Sequence, residues 1–97
     1  MIQYRIEIPP EVAEVIRHLP PSLKRSVRST IREVASNPDI GEALRNELEG
    51  LRKFRVRRYR VVYLVLERER LIRILAVGER RTVYEELAQR ARPDKDE

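Results

Sequence analysis

The hydrophobic pattern of this chain changes its period near Gly50, and that change limits the folds that the chain can adopt. Before Gly50 most apolar residues recur at helical spacing, whereas from Leu51 onward they alternate or run together as they do in strands. The continuous apolar run from Val61 to Leu66 is typical of a central strand covered on both faces. The pattern therefore predicts helices followed by a sheet.

The first half of the chain predicts one strand and two helices. Apolar residues alternate with polar ones over residues 2–8, which indicates a half-buried strand. Amphipathic helices are predicted after Pro10 and after the second break at Pro20–Pro21. Asn37–Pro38 ends the second helix, because the residue before proline is pushed out of helical geometry. A further short helical segment is predicted over residues 40–48.

The second half predicts three strands and a last helix. Two apolar runs flank Arg68–Glu69, where we expect a tight hairpin, and Gly78 ends the last strand. Thr82–Glu85 has the form of a capping box and predicts a C-terminal helix. The expected fold is a single α+β domain over residues 1–91. It has an N-terminal strand, a helical hairpin packed on a four-stranded, mainly antiparallel sheet, and a short C-terminal helix, followed by a polar tail over residues 92–97.

The two halves of the chain carry different net charges. The formal net charge is +5 at pH 7, and residues 51–97 alone carry +6. Such an asymmetry indicates a polyanionic partner for the second half. A solvated surface rich in salt bridges would explain the basic charge equally well. The charge therefore indicates nucleic-acid binding only where the basic residues are concentrated in a motif.

The basic residues concentrate in the segment 52–60. Six of its nine residues are basic and none is acidic. On a strand, Arg55 and Arg57 share the face opposite Phe54 and Val56. Neighbouring like charges repel and add little to stability, whereas a phosphate backbone neutralises them. We therefore expect this segment to bind nucleic acid; the alternative is a solvated face whose arginine stems cover apolar surface.

Sequence motifs spread over most of the chain occur together in a pattern that is typical of one protein superfamily. The pattern L-x-G-L-x-x-F-R-V-R-x-Y-R-V-V-Y covers residues 48–63, and A-V-G-x-R-x-x-V-Y covers residues 76–84. Upstream lie L-P-P-x-L-K-x-x-V-R over residues 19–28 and the pair Asn37–Pro38. Together they resemble the RelE/ParE superfamily of type II toxins. That superfamily includes ribosome-dependent endoribonucleases and gyrase inhibitors that cut nothing, so the resemblance is more specific for the fold than for the activity.

The resemblance implies a site for RNA cleavage in the second half of the chain. In the cleaving branch, matching positions surround the scissile phosphate, and they fall here at Arg60, Arg80 and Tyr84. The two basic positions on the preceding strand fall at Arg55 and Arg57. Four further basic residues are expected to contact the RNA backbone: Lys53, Arg58, Arg73 and Arg81.

The implied reaction is attack of a ribose 2′-hydroxyl on the neighbouring phosphorus, which forms a cyclic phosphate and expels the 5′-oxygen. It needs a base near that hydroxyl and cations facing the phosphoryl oxygens. The planar fork of arginine suits the second task. Tyr84 is the expected base, because clustered arginines and the positive end of the predicted C-terminal helix both favour its phenolate.

One departure from the family pattern affects the choice of base. Relatives that cleave RNA often have lysine where this chain has Arg55 and Arg57, and arginine does not lose its proton in proteins. Lys53 substitutes only in part. Other relatives use a glutamate with a C-terminal histidine, but the single histidine here, His18, falls on the first predicted helix. Catalysis is therefore expected to depend on Tyr84. Two alternatives stay open, a ParE-like gyrase inhibitor and an inactive relative that binds RNA.

Other classes of site are not indicated. The chain has no cysteine, no cluster with metal-ligand spacing and no glycine-rich phosphate loop, so we expect no disulfide, metal or cofactor. No signal peptide or membrane-length apolar run is recognised, and a cytoplasmic location is expected. The resemblance implies a cognate antitoxin that covers the arginines or displaces the C-terminal helix. It also implies the ribosome and its mRNA as targets.

Overall fold

A computed structural model describes residues 3–45 and 49–79 of the 97-residue chain. In chain order the elements are β1 (Arg5–Glu7), α1 (Pro10–Arg17), α2 (Pro21–Ser36), a 3-10 helix (Pro38–Ile40), β2 (Glu42–Ala43), β3 (Leu51–Val56), β4 (Tyr59–Leu66) and β5 (Leu71–Glu79).

Proline fixes the start of both α-helices. Pro10 and Pro21 lie in the first helical turn, where a missing N–H leaves no hydrogen bond unmade within the helix. α2 ends at Ser36, immediately before Asn37–Pro38, as the sequence predicts. Apolar residues at helical spacing face the sheet from both helices: Val12 and Ile16 from α1, and Leu23, Val27, Ile31 and Val34 from α2.

The sheet among the described residues has five strands in the order β1-β5-β4-β3-β2. β3, β4 and β5 form an antiparallel meander, and β1 lies parallel to β5 at one edge. At the other edge the two residues of β2 pair only with Lys53 and Arg52 of β3. The α+β class is therefore confirmed, while the predicted count of four strands is one short.

β4 is a central strand with buried residues on both of its faces. Val61 and Tyr63 pack in the main core beneath the helices. Val62 packs instead with Ala76 on the opposite face, which we call the outer face of the sheet. Because side chains alternate along a strand, Arg60 also belongs to the outer face. The apolar run in the sequence predicts this two-sided burial.

The predicted helix over residues 40–48 is wrong for its described part. A 3-10 turn ends at Ile40, and β2 follows at Glu42–Ala43. Tertiary hydrogen bonds decide the conformation: the Leu44 N–H donates to the Leu51 carbonyl at 2.9 Å, and the Gly41 N–H donates to the Tyr63 hydroxyl. These bonds outweigh the local helical spacing of apolar residues.

The β3–β4 turn differs from the sequence prediction, whereas the tight β4–β5 hairpin expected at Arg68–Glu69 is present. β3 ends at Val56, so Arg57 does not share a strand face with Arg55 but begins the two-residue turn Arg57–Arg58, with φ of 57°. The β4–β5 turn takes four residues, Glu67–Arg70, and its last N–H donates to the Glu67 carbonyl at 3.2 Å. The Arg70 N–H therefore closes the β4–β5 turn, and the pairing of Val56 with Tyr59 limits the β3–β4 turn to two residues.

The chain beyond β5 lies outside the described residues. That part includes the predicted C-terminal helix from Thr82, the boundary at residue 91 and the tail over residues 92–97. β5 itself continues through Gly78 to Glu79, one residue further than the glycine suggests, because Gly78 still pairs with Arg60. No helix in the described ranges is both long and apolar enough to cross a membrane.

Candidate functional site

A cavity of about 390 Å³ lies beside β2, at the edge of the sheet. Four of its lining side chains are ionisable, and three of those four are cationic. The lining residues are Ile40, Glu42, Lys53, Phe54, Arg55 and Arg60. A cavity with this balance of charge is suited to an anion.

Arg60 is the buried cation of this cavity. Only 7% of the residue is exposed, and its Nε finds no hydrogen-bond acceptor within residues 3–45 and 49–79. Across the ladder it lies directly opposite Arg55 on one side and Gly78 on the other. Like charges directly opposite each other destabilise a sheet, and glycine adds no side chain to shield them. The described part of the fold therefore holds the Arg60 guanidinium in place with its Nε unsatisfied.

Glu42 is the carboxylate among the cavity-lining residues. Its Oε1 lies 3.8 Å from the Nζ of Lys53, its partner in the β2–β3 register. Lys53 and Arg55 are two residues apart on β3 and so share the outer face with Arg60. Glu42 is not among the site residues predicted from the sequence, because the spacing of apolar residues predicts a helix there. Only the pairing of β2 with β3 brings it to the cavity.

The segment that carries Ile40 and Glu42 is anchored by Tyr63. The fully buried Tyr63 hydroxyl donates to the Pro38 carbonyl at 2.8 Å and accepts the Gly41 N–H at 2.9 Å. Burial raises the pKa of the Tyr63 phenol above its ordinary value, although the Gly41 N–H and the Arg52 guanidinium act in the opposite direction. Tyr63 thus stays a neutral donor and acceptor beneath the cavity edge.

Gly41 and Arg52 complete this anchor. A Cβ at Gly41 would lie 2.7 Å from the Lys53 carbonyl oxygen and would meet the Tyr63 side chain, so the close approach requires glycine. Arg52 donates from Nη1 to the Gly41 carbonyl at 2.5 Å, and its Nη2 lies 3.5 Å from Asp39 Oδ1. Arg52 therefore serves the fold, although it belongs to the basic segment.

The other predicted site residues are spread more widely. Arg57 and Arg58 are exposed in the β3–β4 turn, where the Arg57 Nη1 lies 3.5 Å from the Ser22 Oγ at the start of α2. Arg73 is paired with Glu7 at 2.5 Å. It lies opposite Leu64, four residues along β4 from Arg60 and so about 13 Å away. Arg80, Arg81 and Tyr84 fall outside the described residues.

Within residues 3–45 and 49–79, no group of histidine, aspartate or glutamate side chains is placed to hold a metal ion. The cavity instead gathers Lys53, Arg55 and Arg60 from the sequence-predicted set. Its chemical capacity is therefore to bind and polarise an anionic group such as a phosphate.

Solved structures of toxins share this fold. A variant of Escherichia coli RelE with two arginines replaced by alanine, in its free state, superposes with a TM-score of 0.78 at 23% identity, covering 92% of this chain and 98% of that one. The toxin–antitoxin complex RelBE2 from Mycobacterium tuberculosis gives a TM-score of 0.73 at 25% identity, covering 81% and 100%. The RelE–RelB complex from Pyrococcus horikoshii gives 0.66 at 22% identity, covering 82% and 98%.

A family model identifies the chain more directly. No curated protein sequence matches the chain. Residues 4–84 match the model described as the ParE toxin of type II toxin–antitoxin systems, parDE. This match spans both helices, all the described strands and the cavity. The chain therefore belongs to the ParE toxin family of type II toxin–antitoxin systems, within the RelE/ParE superfamily.

Proposed function

We propose that this toxin is a ribosome-dependent endoribonuclease that cleaves mRNA. The observation that carries the proposal is the buried Arg60. Its Nε has no acceptor in the part of the chain that the structure describes, and it faces Arg55 across the ladder. A buried guanidinium N–H without an acceptor is costly, so stability alone does not explain this arrangement. A phosphate that enters the cavity would supply the missing acceptor. RNA supplies such phosphates in a regular row.

The cavity residues take separate roles in the proposed reaction. Arg60 and Arg55 hold the two non-bridging phosphoryl oxygens, where negative charge gathers as the 2′-hydroxyl attacks phosphorus. Arg80 joins them from the region beyond β5, as the family resemblance implies. The attack forms the 2′,3′-cyclic phosphate and breaks the bond to the 5′-oxygen, which leaves with a proton. The Lys53 ammonium is a suitable donor of that proton.

The base must be a group other than arginine. We propose that Tyr84 removes the proton from the 2′-hydroxyl, in line with the resemblance. Glu42 is a second candidate, because an ionised carboxylate accepts a proton and this one lines the described cavity. The two candidates predict different pH profiles, since a carboxylate is ionised at much lower pH than a phenol.

A cognate antitoxin is the second proposed partner. The structures of RelBE2 and of the Pyrococcus horikoshii proteins are toxin–antitoxin complexes. We propose that this toxin likewise binds an antitoxin, whose acidic residues neutralise Arg55 and Arg60, and that both act in the cytoplasm.

Inhibition of gyrase is the second candidate function. It is favoured by the family model itself, which describes ParE toxins. In that case the cations of the cavity would contact protein or DNA, and no RNA bond would break. Growth arrest with DNA damage and intact transcripts is the expected signature.

Cleavage of a defined mRNA on purified ribosomes, read by primer extension, tests the first candidate. Arg55→Gln and Lys53→Gln are expected to lower the cleavage rate about tenfold to a thousandfold, because each removes a cation facing the phosphate. Arg68→Gln, exposed in the β4–β5 turn, is the matched control and keeps the wild-type rate. If folded wild-type protein leaves ribosome-bound mRNA intact, the proposal is wrong.

The base is identified in the same assay from the pH dependence of the rate. If Tyr84 is the base, Tyr84→Phe removes most of the activity and Glu42→Gln removes little. If Glu42 is the base, the opposite order is expected, and the wild-type rate already reaches its plateau at mildly acidic pH.

A further inference from the structure

A second concave surface lies beside the cavity, along the last two turns of α2. We call it the α2 groove, and its volume is about 470 Å³. The lining residues are Ser29, Arg32, Glu33, Ser36, Asn37 and Ile40. Positions 29, 32, 33 and 36 share one face of the helix, because residues three and four apart are neighbours there. The groove has the size of a site for a small organic ligand.

Ile40 is the wall that the α2 groove shares with the cavity. It lines both, and 45% of this large apolar residue is exposed. Its N–H donates to the Asn37 carbonyl at 3.0 Å, and the Tyr63 hydroxyl holds the Pro38 carbonyl of the same 3-10 turn. The wall is therefore fixed to the sheet. A ligand that fills the cavity can continue past Ile40 into the α2 groove.

Asn37 lies in the α2 groove at a position where the fold makes no use of its side chain. Asparagine is common at helix ends because it caps backbone N–H groups or because it tolerates positive φ. Here Asn37 precedes the 3-10 helix without a side-chain cap hydrogen bond, and its φ is −145°. Its side-chain amide makes no hydrogen bond to any residue that the structure describes. A donor and an acceptor are thus left for an external ligand.

The balance of charge in the α2 groove differs from that in the cavity. The cavity is lined by three cations and one carboxylate, which suits a phosphate. The α2 groove is lined by one of each, Arg32 and Glu33, together with two hydroxyls and the Asn37 amide. Such a lining favours a neutral ligand that both donates and accepts hydrogen bonds. The bases of RNA are ligands of this kind, and asparagine is among the side chains that pair with base edges.

The same lining is less suited to a protein partner. Stable protein interfaces are centred on large apolar or aromatic side chains that become buried. Ile40 is the one large apolar side chain among the described residues that line the α2 groove. A single apolar wall beside several hydrogen-bonding groups fits the flat face and the polar edge of a base.

We propose that the α2 groove binds the base of a nucleotide adjacent to the scissile phosphate of the mRNA. The inference rests on the proposed function, because it takes the cavity as the site of that phosphate. The Asn37 amide hydrogen-bonds the base edge, and Ile40 contacts the base face. Sequence-specific recognition of RNA commonly uses bases that are splayed out of the stack in this way. The α2 groove thereby selects which phosphate of the message enters the cavity.

Cleavage of ribosome-bound mRNA that carries an abasic nucleotide tests this inference. The scissile phosphate is first mapped on an intact message. Two further messages then lack the base on its 5′ side or on its 3′ side, and kcat/KM is compared between wild-type toxin and Asn37→Ala. For one of these messages we expect loss of the base to lower kcat/KM about tenfold in the wild type. In Asn37→Ala the same loss should be no more than about threefold, because the hydrogen bonds to the base are already absent.

Glu69→Ala is the control, because it shortens an exposed polar side chain in the β4–β5 turn and should keep the wild-type ratios. An equal loss of rate in Asn37→Ala on all three messages would assign Asn37 to folding or to a protein partner and would overturn the inference. A wild-type rate that depends on neither neighbouring base would also overturn it. If wild-type protein leaves the intact message whole, the proposed function fails and this inference falls with it. Circular dichroism melting shows whether each variant is folded.

Discussion

Arg60 holds a positive charge at a buried position where the described fold leaves its Nε without an acceptor. Its cross-strand neighbour is Arg55. The sequence alone groups Lys53, Arg55 and Arg60 through the motif that contains them. It does not reveal that Arg60 is buried, because burial depends on the pairing of β4 with both of its neighbours.

Replacement of Arg60 should separate stability from activity. Arg60→Met keeps the length of the side chain and removes the unsatisfied charge. We expect the free energy of unfolding to rise by about 1 kcal/mol, while RNA cleavage is lost. Urea denaturation of the purified variant measures the first effect. A clear loss of stability would show that the guanidinium has a structural partner.

Tyr63 is a second buried residue whose polar atoms matter, and here the hydrogen bonds are complete. Its hydroxyl joins the Pro38 carbonyl to the Gly41 N–H. The sequence motif includes Tyr63 but assigns it no role, since its hydrogen-bond partners lie more than 20 residues earlier in the chain. Only the folded topology brings them together.

Substitution of Tyr63 should change both stability and its pH dependence. Tyr63→Phe leaves the Gly41 N–H without its acceptor, so we expect a loss of about 1–3 kcal/mol at neutral pH. Because burial raises the pKa of Tyr63, the unfolded chain loses this proton first, near pH 10. The neutral phenol therefore contributes fully to the free energy of unfolding below that pH, and this contribution is lost as the pH rises further. In the Tyr63→Phe variant the free energy of unfolding should fall less steeply with rising pH.

Urea denaturation at neutral pH and near pH 11 measures both effects. Tyr59→Phe is the matched control, because Tyr59 lies on the same face of β4 and its hydroxyl has no hydrogen-bond partner among the described residues. If the free energy of unfolding falls equally between neutral pH and pH 11 in the wild type and in Tyr63→Phe, the proposed contribution of the neutral Tyr63 phenol is wrong.

At the scale of elements, the α-helices, the long strands and β1 were predictable from the sequence, whereas the 3-10 helix and β2 were not. The helices follow from proline positions and apolar spacing, and β4 follows from its continuous apolar run. β2 has only two residues and depends on hydrogen bonds to β3 and to Tyr63. The local spacing of apolar residues does not depend on such bonds. The sequence therefore predicted a helix over these residues, and Glu42 was not recognised as a site residue.

Two glycines near β2 should respond differently to the same substitution. Gly41→Ala places a methyl group against the Lys53 carbonyl and the Tyr63 ring, so we expect a loss of about 1–3 kcal/mol and displacement of the Glu42 segment. Gly50→Ala has free space but must adopt φ of 97°, at a cost of about 1–2 kcal/mol.

A second substitution separates the two causes. Gly50→Asn should recover part of the loss, since asparagine tolerates positive φ, whereas no side chain should be accepted at Gly41. Thermal melting of Gly41→Ala, Gly50→Ala and Gly50→Asn gives the comparison. A stable Gly41→Ala protein with an unchanged cleavage rate would exclude the anchoring role of this segment.

At the scale of the whole molecule, the sheet separates two basic surfaces. The cavity cations lie on the outer face, and four further cations lie on α2, which covers the other face: Lys24, Arg25, Arg28 and Arg32. Charge asymmetry in the sequence indicated only the first group, because acidic residues elsewhere in the first half offset the α2 cations in the net charge. The family resemblance predicted the fold and the toxin class, and the branch of activity stays a prediction.

Mapping of transcript 5′ ends in bacteria that express the toxin tests the central claim most directly. Wild-type protein should produce new ends within translated messages, and these ends should vanish in Arg60→Met but persist in the surface control Arg68→Met. Growth arrest by wild-type protein with intact transcripts would contradict the claim that this cavity cleaves RNA.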